Sequence, residues 1–517
     1  MLAQSNVGDI KTPEQAQAYL ASLSSDKRLS VSRLLSGYSA FRLRYRDDRT
    51  AFVRDCFTWG DGEGPADYQE DILGLVDTHV RVAAYGPRGL GKTALMAWVI
   101  LHFALTWDGE DWKFPVTASV WRQLTHFAFP ELQKWSRRIN WKKIGRGPFS
   151  EGVELMQLSL RLSTGEAFAV ASDNAQTLEG AHARAIGMGF DEAKIIPPAT
   201  FDAIEGSFTG GGDSRTVRVL AVSTPGDINT RFHEICTHKP GYEDWKVRPV
   251  TLDECLRAGR VDPTWVEQRK KQWGEQSPLF QNHVMGVFSS AQETGVIPLA
   301  WVEAAIERWH EWDEAGRQGT IVAVGADIAR YGDDTTVLAP LTSDNVITEL
   351  RPSVLEDTMQ TTGRIVGVLR ANHEAVAVVD IVGLGAGVFD RLREQQYNAL
   401  AFNAGERADE TDASGELGFV NVRSAAYWHL REMLDPLSQC RVALPDDPLL
   451  IGDLTSPQWK TTSAGKIQLE SKDDIRKRLG RSTDYGDAVV QAFWGVRNGG
   501  QEPVGAVIQS EQYVIGE

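Results

Sequence analysis

Cysteine is scarce in this chain. The four that occur in 517 residues, Cys56, Cys236, Cys255 and Cys440, are scattered without a C-x-x-C pair. That excludes a disulfide framework and the usual zinc spacings, and predicts reduced thiols. Long hydrophobic runs are missing too. The apolar stretch TALMAWVILHFAL ends at Trp107 and Asp108, short of the roughly eighteen residues a membrane span needs, so no membrane association is expected. The N-terminus, MLAQSNVGDIKTPEQ, has neither a basic n-region nor an apolar h-region, and no secretion signal is predicted. Positive charge is in deficit: 54 Lys and Arg against 70 Asp and Glu leave a formal charge of −16. A protein coated all round by DNA is thereby excluded, while a local basic groove is not.

What is present begins with GPRGLGKT. Gly86, Pro87, Arg88, Gly89, Leu90, Gly91, Lys92 and Thr93 follow the short β-rich run HVRVAAY and open the apolar segment Thr93 to Leu105. Strand, glycine-rich loop and helix in that order are the context of a P-loop, which predicts ATP and Mg²⁺. The glycines let backbone N–H groups face the phosphates, Lys92 reaches the β and γ oxygens, and the Thr93 hydroxyl holds the ion.

A P-loop needs a second, acidic strand end, and AIGMGFDEA, Ala185 to Ala193, supplies one. Its apolar run reads as a buried parallel strand that brings Asp191 to the Mg²⁺ and Glu192 to the attacking water as general base. A further strand, TVRVLAVSTP, ends in Ser223 and Thr224, small hydroxyl residues suited to coupling phosphate state to the rest of the domain. Upstream, Tyr68 is placed to stack on a base and Gln69 to bond the adenine edge; a surface helix start is the rival reading. Phosphoryl transfer gains from a planar cation at the developing charge. Arg88 inside the loop is the first candidate and Arg184 a looser candidate for an arginine finger.

The second half carries a different chemistry. TIVAVGADIARYGDDTTVLAPL reads as a hairpin with Asp327 on its first arm. A carboxylate within an apolar strand must be paired, solvated or bound to a cation. AVAVVDIVGLGAGVFDRLRE repeats the arrangement with Asp380 at a strand end, and RSTDYGDAVVQAFWGV starts a helix on which Asp484 and Asp487 share a face. Singly, Asp380 reads equally as a turn cap and Asp484 as an N-cap. In this order they match an RNase H-like nuclease, with carboxylates of the kind that hold two Mg²⁺ or Mn²⁺ ions for phosphodiester hydrolysis. The glycines at 383 to 387 make no dinucleotide site.

The predicted architecture is α/β: a helical lead-in over 1–60, a P-loop NTPase domain with a parallel sheet over 61–295, a linker over 296–318, an RNase H-like domain over 319–497 and a flexible tail over 498–517. With these motifs in place, the chain resembles the large terminase subunit of tailed bacteriophages. The resemblance rests on Tyr68-Gln69, GPRGLGKT, GFDEA, VSTPGD, VGADIARYGDD, VVDIVGLGAGVFD and ESKDDIRKRLGRSTDYGDA. It implies Lys92, Thr93, Asp191 and Glu192 as the ATPase residues and Asp327, Asp380 and Asp487 as nuclease metal ligands, assisted by Asp484 or Asp334. Lys472 resembles a position near the nuclease centre. The resemblance further implies double-stranded DNA, a portal protein, a small terminase subunit and a procapsid as partners, and a homo-oligomeric ring when docked. The implied location is the bacterial host cytoplasm, with transient docking on the procapsid. The alternative from another class is a helicase-like P-loop ATPase whose RNase H-like domain is an inactive adaptor.

Overall fold

The computed structural model describes residues 37–172, 183–207, 216–228, 230–289, 294–329, 335–354, 357–463 and 465–498. Two compact units emerge, one of Met1–Pro263 with Asn282–Val287, the other of Thr264–Gln281 with Phe288–Glu517.

In the first unit, helices α1 (Tyr38–Tyr45), α2 (Arg49–Cys56) and α3 (Asp67–Thr78) precede strand β1 (Arg81–Tyr85) and helix α4 (Lys92–Trp107). Strand β2 (Trp112–Ala118), helix α5 (Phe129–Arg137) and strands β3 (Ser159–Arg161), β4 (Gly165–Ala171), β5 (Ala185–Asp191), β6 (Thr216–Ser223) and β7 (Trp245–Pro249) follow. The seven-stranded sheet has the order β3-β4-β2-β5-β6-β1-β7 and is parallel throughout except for the β3–β4 pair. Helix α4 is apolar on every side, and such a helix is stable only when enclosed; nearly all of its residues are buried. The described part of the expected lead-in, 37–60, is fastened to it, since the Tyr38 hydroxyl donates to the Leu105 carbonyl at 2.9 Å and Arg46 to the Thr106 carbonyl at 2.8 Å.

Two glycines weaken the strand signal of β5, and packing explains both. A Cβ at Gly187 would meet Phe114 Cδ2 at 2.0 Å, and one at Gly189 would meet Met96 Sδ at 2.6 Å. The strand gives up propensity so that β2 and α4 can press against it.

The second unit contains helix α6 (Leu299–Glu314), strands β8 (Ile321–Asp327), β9 (Thr336–Thr342) and β10 (Arg351–Ser353), and helix α7 (Thr358–Ala371). Strand β11 (Val376–Asp380), helix α8 (Gly385–Glu394), strand β12 (Ala399–Phe402) and helices α9 (Val422–Leu434) and α10 (Pro448–Thr455) come next. The hairpin β13 (Trp459–Thr461) and β14 (Ile467–Leu469) then leads to α11 (Lys472–Leu479) and α12 (Asp484–Asn498). Its main sheet has the order β10-β9-β8-β11-β12, antiparallel through β10, β9 and β8 and parallel through β8, β11 and β12. Three antiparallel strands extended by two parallel ones is the RNase H-like topology expected.

The division differs from the sequence expectation: Thr264–Gln281 and the residues from Phe288 on group with the second unit, and the helices before residue 61 group with the first. Helix α6, expected in the linker, is docked: Leu299, Val302, Ala305 and Ile306 are buried, Arg308 donates to the Val442 carbonyl at 2.7 Å and Trp309 to the Ile347 carbonyl at 2.9 Å. Its apolar face requires a partner surface, which a free linker lacks.

Candidate functional site

The first site lies at the carboxyl edge of the parallel sheet, where α/β folds place their ligands. Strand β6 lies between β1 and β5, so Ser223 pairs with Tyr85 just before the P-loop, and Val222 with Asp191. Gly89 and Gly91 have φ of +91° and +83°, backbone that favours glycine. Helix α4 starts at Lys92 with no side-chain cap. Its free N–H groups and dipole are suited to a phosphate. Lys92 Nζ lies 3.3 Å from Glu192 Oε1, and the Ser223 hydroxyl donates to Glu192 Oε2 at 3.2 Å. Glu192 has φ +47° and ψ 52°, a conformation that costs energy in a residue other than glycine and is concentrated at functional sites. Buried Asp191 accepts from Gln123 Nε2 at 3.2 Å. Burial, and then the charge of Glu192, push its carboxyl up to about 6. Lys194 Nζ bonds the Thr224 hydroxyl at 3.0 Å, and the Lys194 N–H bonds Ser223 Oγ at 3.2 Å. Both coupling candidates therefore touch the segment that carries Glu192.

Three expectations need correction. Tyr68 and Gln69 are 2% and 1% exposed, and both donate to the Leu90 carbonyl, at 3.0 Å and 3.1 Å. Gln69 Oε1 also accepts from the Ala66 N–H at 2.9 Å. They brace the P-loop from beneath and offer no face to a base. Arg184 stands before the first residue of β5, while Asp191 is its last. A strand of that length spans about 23 Å, and Arg184 is paired with Glu110 at 3.2 Å. It is no cis arginine at this phosphate site. Arg88 is exposed.

The second site is at the carboxyl ends of β8 and β11. Val379 pairs with Ala326, so Asp380 and Asp327 end adjacent parallel strands, a separation of about 5 Å between backbones. Helix α12 lies directly on this sheet. A Cβ at Gly325 would meet the Ala488 carbonyl oxygen at 1.9 Å, and one at Gly495 would meet Val378 Cγ2 at 2.1 Å. That approach brings Asp487 to the strand ends. Asp487 accepts from the Tyr427 hydroxyl at 2.8 Å, the Thr483 hydroxyl at 2.8 Å and Lys472 Nζ at 2.9 Å, with Arg423 Nε at 3.7 Å. Lys472 is also 3.5 Å from Asp327, and Asp484 accepts from the Thr335 N–H at 2.9 Å. Asp380 accepts from the Val382 N–H at 2.9 Å. Asp334 lies outside the described residues.

Burial first, and then the like charges of Asp487, Asp484 and Asp380 against the opposing pull of Lys472, push Asp327 up to about 8. Burial also raises Asp380. Asp487 is the exception: burial opposes its ionisation, but Lys472 and then Arg423 hold it below the ordinary carboxylate range. Among the described residues no three acidic, His or Cys side chains are arranged to hold a metal ion; Lys472 stands between Asp327 and Asp487. Four acidic side chains gathered at one edge, two of them raised, are a donor set that fits hard divalent ions.

Sequence reasoning missed several supports. Gln123, Lys194, Arg423, Tyr427 and Thr483 carry no motif of their own. Asp453, fully buried on α10, accepts from the N–H groups of Tyr485 and Gly486 at 3.0 and 3.1 Å and pairs with Arg481. It caps α12 from another helix, next to the metal-ligand candidates.

The chain is thus an α/β protein with a glycine-rich loop at the carboxyl edge of a parallel sheet in one unit and a set of carboxylates at the strand ends of an RNase H-like sheet in the other. No family model and no curated protein matches it. Among solved structures it is similar to the nuclease domain of the large terminase subunit gp2 of bacterial virus Sf6, at 20% identity and TM-score 0.33, over 38% of this chain and 97% of that one. It is also similar to the large terminase of a thermophilic bacteriophage. In complex with ATP-gamma-S, that structure gives 12% identity and TM-score 0.38, over 83% of this chain and 99% of that one. In complex with ADP it gives 13% and 0.37, over 81% and 98%. No helix among the described residues is long and apolar enough to cross a membrane.

Proposed function

We propose that this chain is a large terminase subunit: an ATP-driven motor that moves double-stranded DNA into a procapsid, and a Mg²⁺- or Mn²⁺-dependent endonuclease that cuts concatemeric DNA. The observation that carries the reading is the coexistence of two opposite sites in one chain, an uncapped helix start with Lys92 for phosphate and a gathered set of carboxylates for cations.

In the ATPase unit, the loop N–H groups and Lys92 bind the β and γ oxygens, and Thr93 and Asp191 would hold Mg²⁺, which supplies charge neutralisation when bound. Glu192 orients the water and takes its proton, once Lys92 turns from Glu192 to phosphate. Ser223 follows the state of Glu192 through their hydrogen bond. Arg88, within the loop, would bring a cation to the developing charge. With Tyr68 and Gln69 occupied beneath the loop, the base falls in the cleft of about 410 Å³ bounded by Trp59, Glu63, Gly91, Ala94 and Arg260.

In the nuclease unit, Asp327, Asp380 and Asp487, with Asp484, would hold two divalent ions, which activate water and stabilise the leaving oxygen when bound. Tyr427 and Thr483 fix the rotamer of Asp487. Contacts to DNA are mainly to phosphates, because a translocating motor cannot depend on one sequence. The portal, the small terminase subunit and the procapsid are the proposed partners, with a ring of subunits docked on the procapsid in the host cytoplasm.

Displacement of a triplex-forming oligonucleotide from linear duplex DNA tests this reading. ATP-dependent displacement without strand separation is expected. Unwinding of the duplex would instead favour the helicase-like alternative.

A further inference from the structure

The chain leaves the first unit at Pro263, returns for Asn282–Val287 only, and leaves again. That short return is spent on the P-loop. The Arg88 N–H donates to the His283 carbonyl at 2.8 Å. Gly286, at φ +69°, lies so close beneath the loop that a Cβ would meet Pro87 Cδ at 2.5 Å, Pro87 N at 2.6 Å and the Gly86 carbonyl carbon at 2.8 Å. Only glycine satisfies both the conformation and the approach.

A second observation is independent of that seat. Gln281–Met285 forms a single π-helical turn, a rare geometry that recurs at functional sites. Within it Asn282 is fully buried, and neither its amide nitrogen nor its amide oxygen has a hydrogen-bond partner among the described residues. A buried polar group left unmade costs free energy that a rearranged turn could recover.

We propose that Asn282–Val287 is a latch on the P-loop, which sets the position of Arg88 and passes the nucleotide state of the loop along the chain into the second unit. The proposal rests on the ATPase reading above. Because the His283 carbonyl holds the Arg88 N–H and Gly286 touches Pro87, a loop that shifts on loading phosphate must carry the turn with it or break that bond. Either event rearranges the π turn and gives the Asn282 amide a new environment. The residues on both sides, Gln281 and Phe288, already belong to the second unit, so no slack chain separates the latch from it. Gly286 and His283 act as positioning residues, through Pro87 and Arg88.

Two measurements on the full chain test the latch. The first is hydrogen exchange of wild type with and without Mg²⁺ and ATP-gamma-S, with Lys92→Ala as the non-binding control. Exchange in peptides covering 278–289 is expected to change with nucleotide in wild type and to lose that response in Lys92→Ala. The second compares Gly286→Ala with Val153→Ala, an exposed side chain of the first unit outside the latch. Gly286→Ala is expected to lower kcat for ATP by about 100-fold, the cost of a displacement near 1 Å at a catalytic group, with KM little changed, while Val153→Ala turns over as wild type. Unchanged exchange at 278–289, or a folded Gly286→Ala with wild-type kcat, overturns the latch and leaves the ATPase reading standing. Should Gly286→Ala misfold, the wild-type exchange decides alone. Failure of wild type to bind nucleotide removes the ATPase reading and the latch with it.

Discussion

The two centres solve opposite electrostatic problems with similar parts. At the P-loop, two acids, Asp191 and Glu192, face one lysine and an uncapped helix start, so the site has backbone donors in reserve for an anion. At the carboxylate centre, four aspartates face Lys472 and Arg423, and two of the acids are driven up by burial. In each, a lysine bonds an acid that it must release when ligand arrives. The contrast teaches that ligand sign is set less by the side chains present than by whether the surplus is backbone N–H or carboxylate.

Substitution at the acids breaks the comparison most severely. Glu192→Gln is expected to lower ATP turnover by about 10²- to 10⁴-fold, the worth of a general base, while DNA cleavage continues; steady-state phosphate release and a plasmid gel measure the two. The lysines sharpen the contrast. Lys92→Ala should abolish nucleotide binding, whereas Lys472→Ala should tighten Mn²⁺ binding in calorimetry, because it removes a cation from between Asp327 and Asp487. Equal losses of ligand affinity in both variants would contradict the opposite-sign account. A smaller effect is expected at Asp453→Ala, which removes the cap of α12: about 1–2 kcal/mol of stability in that unit, read by denaturant unfolding, with Mn²⁺ affinity falling alongside. Smallest is Tyr68→Phe, which loses one hydrogen bond to Leu90, about 1 kcal/mol. Nucleotide affinity should drop a few-fold in fluorescence titration. A silent Tyr68→Phe together with a damaging Tyr68→Ala would instead restore the base-stacking role.

Legibility follows the distribution of chemistry along the chain. Residues 86 to 93, Asp191, Glu192, Asp327, Asp380, Asp484 and Asp487 announce themselves because each ends an apolar run or opens a helix, and the sheets place those ends together. Supports separated in sequence leave no signal: Gln123 and Asp191 are 68 residues apart, and Tyr427 and Asp487 are 60 apart. The pattern at Tyr68 and Gln69 misleads because it does not say whether a helix start is covered, and here both spend their polar atoms on Leu90. Arg184 is excluded as a cis arginine by strand length alone, since the whole of β5 separates it from Asp191. The unit boundary is illegible because α6 is fastened to residues far along the chain, Arg308 donating to the Val442 carbonyl and Trp309 to the Ile347 carbonyl.

Two independent sites of opposite ligand sign in one chain are separable by assaying wild type, Glu192→Ala and Asp380→Ala side by side for ATP turnover and for Mg²⁺- or Mn²⁺-dependent plasmid cleavage. Asp380→Ala is expected to lose cleavage and keep ATPase, and Glu192→Ala to do the reverse. Wild-type protein that hydrolyses ATP but neither binds Mn²⁺ nor cuts DNA would contradict the two-site account, and the second unit would then be an adaptor.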